Sequence, residues 1–439
     1  MIRAKNRMGL VFFPAFDWAI SPTHPEREER LLYTRDQVEE EGIFDIDGIK
    51  EYNPVVATYR DIQRVHLCVP DEASRVTQSH LISAGGAIAA GEAVMKGEVD
   101  KAFALVRPPG HHAMRVVHGA RGFCNINIEA VMISCLRMKY GVKKVAIVDT
   151  DCHHGDGTQD IYWHDPDTLF ISLHQDGRTL YPGSGFPEEM GGPNAVGFTL
   201  NVPLPPGTSD EGFLYVIDNL VVPVLEEFKP ELVINSAGQD NHYSDPITNM
   251  NFSAMGYAML SEKLNPHIAV LEGGYSIEDA LPYVNTGIIL AMAGLDYSRI
   301  KEPDYEPGRF RETQESMEYI KRLCNSVYER WKNRKDYRAK LIRGAKYVKE
   351  SRRIYYDTDG IMEIREEITR VCDCSGFSVI TSSADTGYTV KGVIIPWNAC
   401  PSCHKEGLKA FEKLERERGS TSLIYLQDVI NDNFVRKKF

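Results

Sequence analysis

Five short apolar runs in this chain each end in a polar or glycine-rich cluster: KAFALVRPPGHHA, KKVAIVDTDCHHGDG, DTLFISLHQDG, ELVINSAGQDNH and HIAVLEGGYS. Several are hydrophobic throughout, as strands of a parallel sheet must be when both faces are covered. Helical stretches such as ISAGGAIAAGEAVMKG, INIEAVMISCLRMKYG and EGFLYVIDNLVVPVLEEF lie between them. This alternation predicts an α/β fold around a central, mostly parallel sheet. Open sheets of that kind place ligands beyond the carboxyl ends of their strands, and the polar clusters fall at those ends. Five loops can therefore converge on one site.

At 439 residues and 43% hydrophobic, the chain has core for a large domain and a smaller one. The pattern divides it into a catalytic domain over 1–300, a linker with a charged helix over 301–352, and a Cys-rich unit over 353–439. Residues 1–300 carry a net −17 and residues 301–439 a net +5, which add to the formal −12. The acidic body argues against a nucleic-acid surface and suits cationic substrates, although solubility alone accounts for it equally. No apolar run approaches the roughly 18 residues of a membrane span. The start, MIRAKNRMGLVFFPAFDWAI, is interrupted by Pro14 and Asp17 and reads as a first strand, not a signal peptide. The nine cysteines are scattered at first and paired only near the end, which suits a reduced, cytoplasmic setting and a metal.

Asp151 and His153 stand two apart just beyond a strand, so an extended backbone points both to one side. Asp240, at the end of another predicted strand, can complete an Asp-His-Asp set. Three protein ligands leave one position open, the arrangement of catalytic zinc sites. The positive ion makes the buried acids tolerable. Asp149 and Asp156 remain, as do the tandem His111 and His112 after RPPG, and each histidine needs a partner to fix its tautomer. Two acids and two histidines make two dyads.

The ordered motifs HPER (24–27), AGGAIAAGEAV, RPPGHHA, GFCNIN, DTDCHHGDGT, SLHQDGRTLYPGSG, SAGQDNHYSDP and LEGGYS resemble those of the histone deacetylase family over roughly residues 10–300. The resemblance implies the arginase-deacetylase fold and zinc-dependent hydrolysis of an acylated amine. It implies zinc on Asp151, His153 and Asp240, His111 and His112 as the acid-base pair with His112 the base, and support from Asp149 and Asp156 respectively. It makes Tyr275 the hydrogen-bond donor to the scissile carbonyl. Gly122, Phe123 and Tyr181 would line a narrow channel, with Ile247 at its rim. A structural potassium ion would sit by Asp149, Asp151, His153, Ser172 and Leu173. Three features depart from the family pattern: Gln239 before Asp240, an acid at 156, and a segment MRVVHGAR that is about two residues longer than usual.

In the tail, Cys372/Cys374 and Cys400/Cys403 flank FSVITSSADTGYTVKGVIIP, which reads as a hairpin. Two cysteine pairs bridged by a hairpin predict a zinc-ribbon-like unit around structural zinc. The expected activity is hydrolysis of acyl-lysine or a small acylated amine, with acetylpolyamine hydrolysis as the nearest alternative. An arginase-like ureohydrolase and a catalytically silent acyl-lysine binder are more distant ones. No nucleic-acid or membrane partner is expected, and self-association is left open.

Overall fold

The computed structural model describes residues 2–439 apart from Pro307, Arg309 and Arg418. Eight strands form the main sheet: β1 Arg3–Phe13, β2 Asp47–Tyr52, β3 Lys101–Val106, β4 Val145–Asp149, β5 Thr168–Gln175, β6 Thr199–Leu204, β7 Leu232–Ala237 and β8 Ile268–Leu271. Their spatial order is β2-β1-β3-β8-β7-β4-β5-β6, and every neighbouring pair is parallel. The last two strands of this sheet, β7 and β8, insert between β3 and β4. The order of the sheet therefore reverses at its centre, where four carboxyl ends lie side by side.

Strands β3 to β8 are buried along their whole length, because apolar layers cover both faces. Helices α1 (Gln78–Met95) and α2 (Ile128–Tyr140) form part of one layer. The Asn127 side chain caps α2 by accepting the Ala130 N–H at 2.8 Å, and Gly141 ends it in the left-handed region at φ +70°. The short helix α3 (Asp156–Tyr162) lies between β4 and β5, and the other layer includes α4 (Gln314–Lys332). Met317, Ile320, Cys324, Val327 and Trp331 recur at helical spacing along α4 and are buried. Residues 301–352, expected as linker and charged helix, thus contribute a structural face to the main body.

The C-terminal unit is a six-stranded sheet in chain order: β9 Tyr347–Tyr356, β10 Ile361–Arg370, β11 Ser378–Ala384, β12 Thr389–Ile395, β13 Leu423–Asp428 and β14 Asn433–Lys438. Its first strand starts at Tyr347, ahead of the boundary expected at 353. β11 and β12 are the expected hairpin, while β12 and β13 pair in parallel across α5 (Pro401–Arg416). The four cysteines sit at one end of a sheet with its own core, built on Phe377, Val393, Ile395, Phe411, Ile424 and Leu426.

This unit docks on the body by chemistry of both kinds. Leu67, Val69 and Val116 share an apolar cluster with Ile380, Val390, Ile394, Leu423 and Tyr425. Arg365 donates to Asp160 at 2.7 Å and to Glu363 at 2.7 Å, all three side chains being buried. A cavity of about 310 Å³ remains between the two units, lined in part by Arg64, Arg115, Arg137, His164 and Trp397. Removing one member of a buried ion network leaves its partners charged and dry, so Arg365→Met is expected to destabilise the protein by about 3–5 kcal/mol. Urea unfolding of parent and variant measures the difference.

Candidate active site

Each strand end delivers one part of a buried cluster. After β4 the chain turns through Thr150–Gly155 into α3, bringing Asp149, Asp151, His153 and Asp156 together within eight residues. β7 delivers Asp240, β3 delivers His111 and His112, and β8 delivers Tyr275.

The donor atoms of Asp151, His153 and Asp240 all lie within 4.8 Å of one another, and all three residues are buried. His153 Nδ1 stands 2.9 Å from Asp240 Oδ2 and 3.2 Å from Asp151 Oδ1. The other carboxylate oxygens are held from outside the cluster: Asp240 Oδ1 accepts the Cys152 N–H at 2.7 Å, and Asp151 Oδ2 accepts the Gly273 N–H at 2.7 Å. A Cβ at Gly273 would collide with both carboxylates. Burial, with the Asp151 charge beside it, pushes the Asp240 carboxyl up. Two dry carboxylates and an imidazole facing one point are a donor set for a small divalent cation, and a cation there relieves that repulsion.

The two histidines are oriented by separate acids. His111 Nδ1 lies 3.1 Å from Asp149 Oδ2, and His112 Nδ1 lies 2.8 Å from Asp156 Oδ1. The rings stand 4.1 Å apart, and His112 is 6.1 Å from the His153 ring. Burial, together with the charges of His111 and His153, holds His112 well below the usual imidazole range. Tyr275 is buried and packs edge-on against Phe123 at 5.7 Å. Tyr181 packs edge-on against His112 at 5.1 Å. Asp245 accepts the N–H of Tyr275 at 2.8 Å and that of Ile247 at 3.0 Å, so one carboxylate ties half-buried Ile247 to the Tyr275 loop. Ser172 stands opposite Asp149 in the β4–β5 ladder with Leu173 buried next to it. Gln239 turns its amide to Asn285. Cys124 is fully buried, and burial pushes its thiol well up.

Some supporting residues carry no signal strong enough to single them out in the sequence. Arg30 is fully buried; it donates to the Gly274 carbonyl at 2.7 Å, to the Glu272 carbonyl, and to Glu26 at 2.8 Å. Its guanidinium lies 5.1 Å over the Tyr275 ring. Arg107 takes the second oxygen of Glu26 at 2.7 Å. Glu272 accepts the N–H groups of Gly110 and His111 at 2.7 and 3.0 Å, which locks the tandem-histidine loop to the Tyr275 loop. Glu26, Arg107 and Glu272 lie within the motifs HPER, RPPGHHA and LEGGYS, but no motif contains Arg30 or shows that the four meet.

In the C-terminal unit, Cys372 and Cys400 sulfurs lie 3.9 Å apart and those of Cys374 and Cys403 3.7 Å apart. A tetrahedron with Zn–S bonds of about 2.3 Å has edges of about 3.8 Å. Disulfides require about 2.05 Å. The donor chemistry and spacing fit a closed structural zinc.

Residues 71–292 match the Histone deacetylase domain family. The chain belongs to the histone deacetylase family. It is 48% identical over 311 residues to a probable deacetylase of Archaeoglobus fulgidus, covering 65% of this chain and 85% of that one. It is 40% identical over 232 residues to a histone deacetylase-like amidohydrolase of Pseudomonas aeruginosa, covering 51% of this chain and 60% of that one. The crystal structure of the HDA15 HD domain superposes with a TM-score of 0.65 at 27% identity, covering 76% of this chain and 99% of that one. Membership makes the chain a hydrolase of the deacetylase and amidohydrolase type with acetylated substrates. Among the described residues no helix is long and apolar enough to cross a membrane.

Gly122 is a tight point of this histone deacetylase site: its φ is +50°, and a Cβ there would collide with the His112 ring. Gly122→Ala is therefore expected to displace His112 and lower kcat by about 10²-fold, the usual cost of an ångström-scale misplacement. Steady-state kinetics, with circular dichroism to verify the fold, tests this.

Proposed function

We propose that this chain is a zinc-dependent deacylase that removes an acetyl-type group from acyl-lysine. The observation that carries the reading is one buried cluster holding the Asp151–His153–Asp240 donor set, two His–Asp pairs and Tyr275.

Asp151, His153 and Asp240 would hold the zinc, which when bound would supply Lewis-acid polarisation of the acyl carbonyl and a lowered pKa for water. His112 acts as the base: Asp156 takes the proton side of the ring at Nδ1, which leaves Nε2 as the acceptor. Its burial keeps the ring neutral and able to accept. His111, held by Asp149, returns a proton to the leaving amine. The Tyr275 hydroxyl donates to the carbonyl oxygen as negative charge develops there. Gly122, Phe123 and Tyr181 form the channel, where aromatic walls accept an aliphatic stem without leaving polar groups unpaired. Asp149, Asp151, His153, Ser172 and Leu173 hold the potassium ion, Cys372, Cys374, Cys400 and Cys403 a structural zinc, and the enzyme works in the cytoplasm.

Ile247 favours lysine over polyamines, because an apolar side chain offers no partner to a second, distant ammonium. Ile247→Glu is expected to raise kcat/KM for acetylspermidine relative to an acetyl-lysine peptide. A parent enzyme that already prefers acetylspermidine strongly would overturn the acyl-lysine reading. Tyr275→Phe should lose about 10²-fold or more in kcat, the cost of one oxyanion donor. Elemental analysis should find two zinc equivalents in both parent and variant, and an unaltered rate would remove Tyr275 from the reaction.

A further inference from the structure

The longer segment between the tandem histidines and Phe123 ends in Arg121, whose side chain is one-tenth exposed. Arg121 Nε and Nη2 both donate to Asp156 Oδ2, at 2.9 and 2.5 Å. The other oxygen of the same carboxylate orients His112 at 2.8 Å. The third arm of the guanidinium, Nη1, donates to the carbonyl of Tyr355, the penultimate residue of β9. Its Cζ also lies 5.4 Å from the centre of the Tyr181 ring. One arginine thus touches the His112 partner, a wall of the channel and the C-terminal sheet.

The turn that follows β9 completes the contact. Asp357 Oδ1 accepts the Tyr181 hydroxyl at 2.8 Å and the Gly122 N–H at 3.1 Å, while Asp359 Oδ2 accepts the Ala120 N–H at 2.8 Å. Backbone donors must find acceptors when water is excluded, and the loop around Arg121 finds two of its own on the other unit. A loop containing Gly119, Ala120 and Gly122 has little side-chain bulk to fix itself. Its own backbone supplies one bridge, between Arg121 and Cys124 at 3.0 and 2.8 Å, and the acids of the β9–β10 turn hold the donors on either side of Arg121.

We propose that the C-terminal sheet is a working part of the active site: by holding Arg121 through Tyr355 and the loop through Asp357 and Asp359, it positions the Asp156–His112 pair. Arg121 is a positioning residue, acting on the reaction through Asp156. Asp357 sets the distance between Tyr181 and Gly122, and through them the width of the channel mouth. The inference rests on the assignment of His112 as base.

The test uses the full chain with acetyl-lysine peptide and compares parent, Arg121→Met, Arg121→Lys and Asp357→Ala. Arg121→Met keeps the bulk of the stem and removes every donor. It is expected to lower kcat by about 10- to 100-fold while KM stays within about twofold, because orientation of the base is lost but the binding slot is not. Arg121→Lys restores one charged donor to Asp156 and should recover most of the lost kcat. Asp357→Ala should raise KM more than it lowers kcat. Zinc content and melting temperature are read on each variant. An Arg121→Met enzyme with parental kcat overturns the proposal, as does a loss in which Arg121→Lys is no better and kcat and KM deteriorate with the melting temperature. If His112→Ala retains parental activity, the assignment of the base fails, and this inference fails with it. If His112→Ala is inactive and Arg121→Met is not impaired, only the inference fails.

Discussion

Everything near the site answers to one constraint: Asp149, Asp151, Asp156, Asp240 and Glu272 are buried together at the carboxyl ends of adjacent strands. Isolated carboxylates in such a place cost several kcal/mol each, and they persist only with partners at close range. Two kinds of partner serve them. Backbone N–H groups of Gly110 and His111 serve Glu272, and those of Gly273 and Cys152 serve Asp151 and Asp240. Imidazoles serve Asp149 and Asp156. The remaining oxygens of Asp151 and Asp240 converge on one nitrogen of His153, and that meeting point of two carboxylates and an imidazole is where a cation belongs.

The second tier of compensation is made by arginines that come from far away in the chain. Arg30 and Arg107 share Glu26 and together brace the loops that carry the histidines and Tyr275. Arg121 shares Asp156 with His112. Buried arginines suit this work because the guanidinium forks in a plane, so one group can satisfy a carboxylate and a carbonyl at once. Such a frame is stiff, and stiffness is what a site needs if its reacting groups are to be held within a few tenths of an ångström.

The parts of this architecture that can be read in the sequence are those with local periodicity. Continuous apolar runs announce β3, β4, β5, β7 and β8, and the polar cluster after each run falls at its carboxyl end because chain direction is shared in a parallel sheet. Cys372/Cys374 and Cys400/Cys403 are legible for the same reason: a hairpin between two pairs brings them together. Arg30, Arg107 and Arg121 are not, since their partners lie up to hundreds of residues away. β10 is actively misleading. In IMEIREEITR, Met362, Ile364 and Ile368 share a face that alternation alone would place inward, yet they are exposed, and Glu363, Arg365, Glu367 and Thr369 are buried. The strand is turned by its neighbours: Asp160 and His164 of the body offer partners to Arg365 and Glu367 that no apolar residue could use.

That inversion shows that docking rests on placed pairs and not on bulk charge. The docked sheet, residues 347–439, carries no net charge, yet at its interface with the body Arg352 and Arg365 reach Asp160 and Arg436 reaches Glu72. Asp432 on Arg64 runs in the opposite sense, so the match is specific and not a uniform attraction. Exposed pairs of this kind contribute little, whereas the buried Asp160–Arg365 contact is costly to break once formed. It therefore fixes the register of docking more than it supplies affinity, and apolar contacts such as Leu67 and Val116 against Ile394 and Leu423 supply the adhesion. Fixed register matters because Asp160 lies in the same short helix, α3, whose first residue is Asp156. The helix is held at one end by Arg121 and along its length by Arg365, so the base partner and the docked sheet are set by one rigid element.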